Sequence, residues 1–292
     1  MRRPFAGCVL VGLLVVGATA SAQDPAAPSG NYGGGLVALP PAPIVSAGNM
    51  LVGLRVTGAQ VQVNASMGAS CATAALRAAT ARIEAGGVFK ARGSGRAHLG
   101  TGRLATTRYE IDGTITGATA SGTASSATTI TGRRRRASRC SSGTVMWGAR
   151  RSNGDIGAPG VAPDARMYGT TTQRLGGPRR AIVLRASADG SKLARALYDV
   201  TLRCAGGRTI TDIYDAPRRN LTIASDGTFS DVERFTLREA NATVRFTERF
   251  SGTIGAAGAS GTLSTQERSV SRRTGRSTGS CSSGTVRWSA AP

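Results

Sequence analysis

The chain has 292 residues, with 37 Lys or Arg against 16 Asp or Glu, one His and a formal charge of +21. A lone His and the lack of any CxxC spacing argue against a zinc site. Neither Lys follows a glycine, no GxGxxG follows a strand and no EF-hand pattern occurs, so no nucleotide, metal or other cofactor is expected.

Residues 1–22 read as an export signal. Arg2 and Arg3 precede an apolar run from Val9 to Val16, and Ala20-Ser21-Ala22 offers a small-x-small cleavage site. The run is too short to span a bilayer. Cys8 lies before it, which argues against a lipid anchor, and no later stretch is apolar enough to span a membrane. Cleavage near Ala22 would deliver the protein to the cell surface or the medium, or to the periplasm where an outer membrane exists. Four cysteines would remain, Cys71, Cys140, Cys204 and Cys281, and an even count in an exported chain reads as a disulfide framework.

The rest of the chain is written twice. CSSGTVMW at 140–147 returns as CSSGTVRW at 281–288. Upstream, Gly113-Thr-Ile115 and Ser121-Gly-Thr123 match Gly252-Thr-Ile254 and Ser260-Gly-Thr262. Further back Phe89 matches Phe229, Cys71 matches Cys204, and Tyr32-Gly33 matches Tyr168-Gly169. Copy one therefore occupies 30–149 and copy two 166–290. The Gly-, Pro- and Asp-rich segment 150–165 reads as a linker. Of the three possible pairings of four cysteines, only Cys71–Cys140 with Cys204–Cys281 keeps each bond inside a repeat. Each bond would contribute at most about 4–5 kcal/mol by chain entropy.

Both copies read as strands. Val56–Val63 turns and then alternates, Asp189-Gly190 suits a hairpin turn, and Asp226-Gly227 another. The segments around Arg234–Arg238 and Thr243–Phe250 alternate apolar with charged, as a sheet with one buried and one wet face does. Cys71–Ile83 has some helical character, but its match in copy two carries Gly-Gly and Pro. It is read as loop and strand, with a short helix at most in copy one. Roughly eight short strands per copy predict an all-β fold: two tandem antiparallel meander barrels, or alternatively β-sandwiches, with one disulfide in each. An aromatic content of 4% predicts small, aliphatic cores.

In the closing strand, Val145 and Trp147 share one face, Thr144 and Met146 the other. Arg287 stands where Met146 does, so that second face should be wet. Trp147 and Trp288 could form a sugar-stacking platform, but matched aromatics on strands more often seal a core, and that reading is preferred.

Catalytic constellations are hard to assemble. His98 lies in the Gly-rich stretch RGSGRAHLGTG, reads as a surface loop residue and has no counterpart in copy two. Copy one has only Glu84, Glu110 and Asp112 as acids. In copy two Asp212 and Asp215 fall in an insertion at 211–220, the most individual loop of the chain. A hydrolase built there ranks last, and a non-enzymatic protein is expected. The recurring signal is arginine. Arg133, Arg134, Arg135, Arg136 and Arg139 precede Cys140, and Arg272, Arg273 and Arg276 precede Cys281. Such clusters hold phosphate or carboxylate groups bidentately. The competing account is a soluble hairpin tip enriched by coding bias, since only Lys90 and Lys192 interrupt the use of Arg. An exported protein rarely meets nucleic acid, so an anionic wall polymer or glycan is the expected partner. A small-ligand carrier with a hollow barrel is the alternative.

The order Tyr-Gly, Cys, Gly-x-Phe, Gly-Thr-Ile, Ser-Gly-Thr and Cys-x-x-Gly-x-Val-x-Trp resembles exported β-rich domains of soil actinobacteria that end in a Cys…Trp strand. The resemblance covers most of both copies. It implies architecture and export, and no catalytic residue.

Overall fold

A computed structural model describes residues 27–36, 49–67, 71, 74–99, 102–132, 135–216, 221–238 and 241–292. The expected export signal, Arg133, Arg134 and residues 217–220 of the insertion lie outside the described residues, as do the side chains of Arg135, Asp212 and Asp215. Copy one contributes β1 (Gly30–Leu36), β2 (Met50–Thr57), β3 (Gln60–Met67), β4 (Leu76–Arg82), β5 (Val88–Leu99), β6 (Arg103–Thr116), β7 (Thr119–Gly132) and β8 (Arg135–Arg150). Copy two contributes β9 (Arg166–Arg174), β10 (Arg179–Ala186), β11 (Lys192–Cys204), β12 (Thr209–Ala216), β13 (Leu221–Thr222), β14 (Thr228–Arg238), β15 (Ala242–Ile254), β16 (Ala259–Ser271), β17 (Ser277–Ser282) and β18 (Val286–Ala291). One 3-10 turn, Ala85–Gly87, is the only helical element among the described residues. The segment after Cys71 is thus strand, as the comparison of the two copies demanded.

Each copy forms one antiparallel sheet. The orders are β4-β3-β2-β1-β8-β7-β6-β5 and β12-β11-β10-β9-β18-β16-β15-β14, so in each the first strand pairs with the last. A meander whose ends meet in this way curls into a barrel rather than splitting into a sandwich. The match between copies is one of register: Phe89 lies opposite Gly113 and Phe229 opposite Gly252. The expected disulfides are present, Cys71–Cys140 and Cys204–Cys281, spanning 69 and 77 residues. The long β8 of copy one is broken in copy two into β17 and β18, and β17 pairs with both β16 and β11.

The closing strand behaves as its alternation predicts. Trp147 is fully buried and Met146 is 67% exposed, while Val286 and Trp288 are buried and Arg287 is exposed. Both tryptophans belong to cores, so neither offers a stacking platform. The expectation of small aliphatic cores fails in copy two. There Tyr198 stacks on Tyr214 at 5.8 Å and on Phe250 at 5.9 Å, and Phe250 stacks on Trp288 at 5.3 Å. The few aromatic residues are concentrated at inward positions of one barrel, which an average over the chain conceals.

One-face alternation holds for β5–β8, but β1–β3 and β10–β11 are buried on both faces over most of their length, as is the middle of β9. The second face is the contact between the barrels. Ala181, Val183 and Leu197 of copy two belong to the core cluster of copy one. Asn64 donates to the carbonyls of Pro178 and Arg179, both at 3.3 Å, and Arg179 N donates to Asn31 Oδ1. Glycine permits the approach: a Cβ on Gly33 would stand 1.8 Å from the Gly169 carbonyl oxygen. Gly33→Ala should therefore force the barrels apart and cost about 2–3 kcal/mol, read as a lowered midpoint in urea unfolding. The segment between the copies is not a free tether. Ala256 and Ala257 donate to the Ala158 and Ile156 carbonyls, and Arg185 pairs with Asp164 at 2.9 Å, tying the segment to copy two.

Candidate anion-binding site

Strands β14, β15 and β16 sort their charges by sign. Phe229, Phe250 and Leu263 are buried and define the inner face of this part of the barrel. Counting by twos along each strand puts Asp231, Glu233, Glu248 and Glu267 on that inner face. The same count puts Arg234, Arg238, Arg245, Arg249 and Arg268 on the outer face, and all five are exposed. No acid of these three strands faces outward.

Two of the outward arginines are direct cross-strand partners. Arg245 lies opposite Arg268, in a row that runs from Thr236 to Ser280. Like charges at directly opposite positions destabilise a sheet by a few tenths of a kcal/mol to about 1 kcal/mol. Beyond this row β16 ends in the turn that carries Arg272, Arg273 and Arg276, all exposed. The strand face and the hairpin therefore form one continuous basic surface.

Copy one treats the same surface differently. Lys90 lies opposite Asp112 and Arg92 opposite Glu110, with Arg92 Nε 3.4 Å from Glu110 Oε1. Here each outward base at these rows has an acid beside it. Toward the hairpin, Arg96 and Arg139 end a row whose middle is Thr106 and Thr129. Arg136 and Arg139 are exposed. The hairpin signal thus occurs in both copies; copy one continues it through Arg96, Arg108 and Arg139 but sets acids at the Lys90 and Arg92 rows, whereas in copy two no acid of β14–β16 faces outward.

No protein-family model, curated protein or solved structure matches this chain. The site has to be read from its own chemistry.

Several residues weighed from sequence are placed elsewhere. His98 is an exposed residue of β5, so the Gly-rich stretch around it is largely strand and not loop. The insertion is likewise strand up to Ala216. Asp212 and Asp215 belong to β12, which pairs with β11 along its length. Glu110 and Asp112 balance basic neighbours on the outside of copy one. The outward arginines of β14–β16 were within reach of sequence reasoning, because VERFTLR and TVRFTERF alternate. The alternation alone did not say that the two signs of charge take opposite faces. Phe229 and Phe250 fix the parity, and with it the sorting.

Proposed function

We propose that this protein is an exported, non-catalytic binding module of the cell envelope or extracellular space that holds an anionic polymer on the outer face of β14–β17. The observation that carries the reading is the Arg245–Arg268 pair, set directly across two strands on a face with no acid of β14–β16. Such a pair is costly in the free protein and becomes favourable when a phosphate or carboxylate lies between the two guanidinium groups. The hairpin residues Arg272, Arg273 and Arg276 lengthen the surface in the direction of the strand, which suits a linear polyanion better than a single small ion. Two disulfides suit an oxidising compartment. No helix among the described residues is long and apolar enough to cross a membrane.

The test compares Arg245→Ser/Arg268→Ser with Arg92→Ser in binding to soluble polyphosphate and to polygalacturonate. Loss of two charge-assisted contacts should weaken binding by about 2–4 kcal/mol, roughly thirtyfold or more. Arg92, already paired with Glu110, should matter little. Equal affinity of the double variant and the unaltered protein would overturn the reading. Phosphate polymers and carboxylate polymers are distinguished by which of the two binds at lower concentration.

A further inference from the structure

The outward arginines of β14 and β15 are evenly spaced as well as sorted by sign. The ladder between these strands runs without a bulge from Val232 opposite Arg249 to Arg238 opposite Thr243. Its outward rows there are Val232 with Arg249, Arg234 with Thr247, Thr236 with Arg245, and Arg238 with Thr243. Each row holds one Arg, and the Arg changes strand from one row to the next. The other place in each row is Val or Thr. All four arginines are exposed, and none joins an ion pair among the described residues. Successive outward positions of a strand lie two residues apart, about 6.7 Å. The backbone therefore sets a single file of guanidinium groups at that step.

Copy one lacks this file. Its matching rows are Arg92 with Glu110, Ser94 with Arg108, Arg96 with Thr106, and His98 with Leu104. An acid faces the first Arg and no Arg stands in the last row. Only the two middle rows keep the alternation.

The step selects among polyanions. Two residues of a strand are six covalent bonds along the backbone, and an extended polymer with one phosphate per six backbone bonds repeats at a similar length, about 6–7 Å. A phosphodiester chain with three carbons between its phosphates, P–O–C–C–C–O–P, has that count. Polyphosphate carries a charge every two bonds, about 3 Å, and meets an Arg at any row. Single-stranded nucleic acid also has six bonds per phosphate, but its bases call for aromatic faces, and no outward position of β14–β16 is aromatic.

We propose that the outer face of β14 and β15 holds an extended phosphodiester chain of the poly(glycerol phosphate) kind, one phosphate on each of Arg249, Arg234, Arg245 and Arg238. The proposal rests on the reading of this face as a polyanion site and adds the spacing of the charges. Arg268, beside Arg245 on β16, gives the third row a second guanidinium for the same phosphate. Thr247, Thr236 and Thr243 place hydroxyls beside three of the contacts, where the free hydroxyl of each glycerol unit would lie.

The experiment moves one Arg without altering net charge. Arg234→Thr/Thr236→Arg empties the second row and crowds the third, whereas Arg234→Thr/Thr247→Arg shifts the charge sideways within its row. Binding of synthetic poly(glycerol phosphate), polyphosphate and oligothymidylate is measured for both variants and the unaltered chain. The first exchange should weaken poly(glycerol phosphate) about tenfold and the second no more than about threefold. Polyphosphate should follow the unchanged total charge in both, which also reports that the altered face is folded. Should the first exchange lose polyphosphate as well, Arg249→Thr/Thr247→Arg, which empties the first row, carries the same comparison. An equal response of poly(glycerol phosphate) to the lengthwise and sideways exchanges would overturn the inference and leave a polyanion site without a preferred spacing. Oligothymidylate bound by the unaltered chain as tightly as poly(glycerol phosphate) would overturn it in the same way. Failure of the unaltered chain to bind any of the three would remove both the inference and the reading beneath it.

Discussion

Asp199→Ala should be among the most destabilising single substitutions in this protein. Asp199 and Arg180 form an ion pair with side chains 3% and 0% exposed, and Arg180 also donates to Thr211 Oγ1 at 3.0 Å. The same Asp199 carboxylate accepts from Ser66 Oγ of copy one at 3.3 Å, so the pair sits against the other barrel. Burial pushes the Asp199 carboxyl above its usual range, and Arg180 pulls it back. Removing the acid strands a buried guanidinium, which typically costs about 3–5 kcal/mol. Replacing both partners, as in Arg180→Met/Asp199→Leu, should restore much of that loss, because the desolvation cost of both charges disappears. Urea unfolding of the single and double variants separates the two cases. A mild effect of Asp199→Ala would mean that water reaches the pair and the barrels are less closely packed than described.

The closing strands provide the second large effect, with a built-in control. Trp147→Ala and Trp288→Ala should each cost about 3–5 kcal/mol through lost burial and a residual cavity. Met146→Ala and Arg287→Ala, one residue away on the outer face, should stay within about 0.5 kcal/mol. The two tryptophans differ in one respect. Trp147 Nε1 donates to the Thr123 carbonyl at 3.1 Å, whereas Trp288 Nε1 is buried without a partner. Substitution by Phe should therefore be tolerated better at 288 than at 147. Thermal unfolding of the four alanine and two phenylalanine variants is sufficient to decide it.

The architecture was legible because it was written twice. The repeat of Cys-Ser-Ser-Gly-Thr-Val-x-Trp set the parity of the last strand and identified which cysteines could pair within one copy. Comparison with Gly-Gly in copy two removed a helix that Cys71–Ile83 alone would have suggested. What the sequence could not show was contact between elements far apart in the chain. Gly33, Gly53 and Asn64 look like ordinary strand or turn residues until β1–β3 are seen to face copy two. The basic hairpins were visible as runs of Arg, since a run needs no register to be noticed. The outward arginines of β14–β16 and the inward acids interleave in sequence and separate only in space. Their meaning depends on which neighbours they face across strands, and Arg245 opposite Arg268 is a pairing at a distance of 23 positions that no local pattern reveals.

The most direct measurement of the central claim is the salt dependence of polyphosphate binding, for the unaltered chain and for Arg245→Ser/Arg268→Ser. Binding through guanidinium contacts should weaken linearly on a logarithmic salt axis. The double variant should show a slope shallower by about two contacts, at roughly one per basic residue removed. A slope that the double substitution leaves unaltered, or binding indifferent to salt in the unaltered chain, would contradict a polyanion held on the outer face of β14–β17.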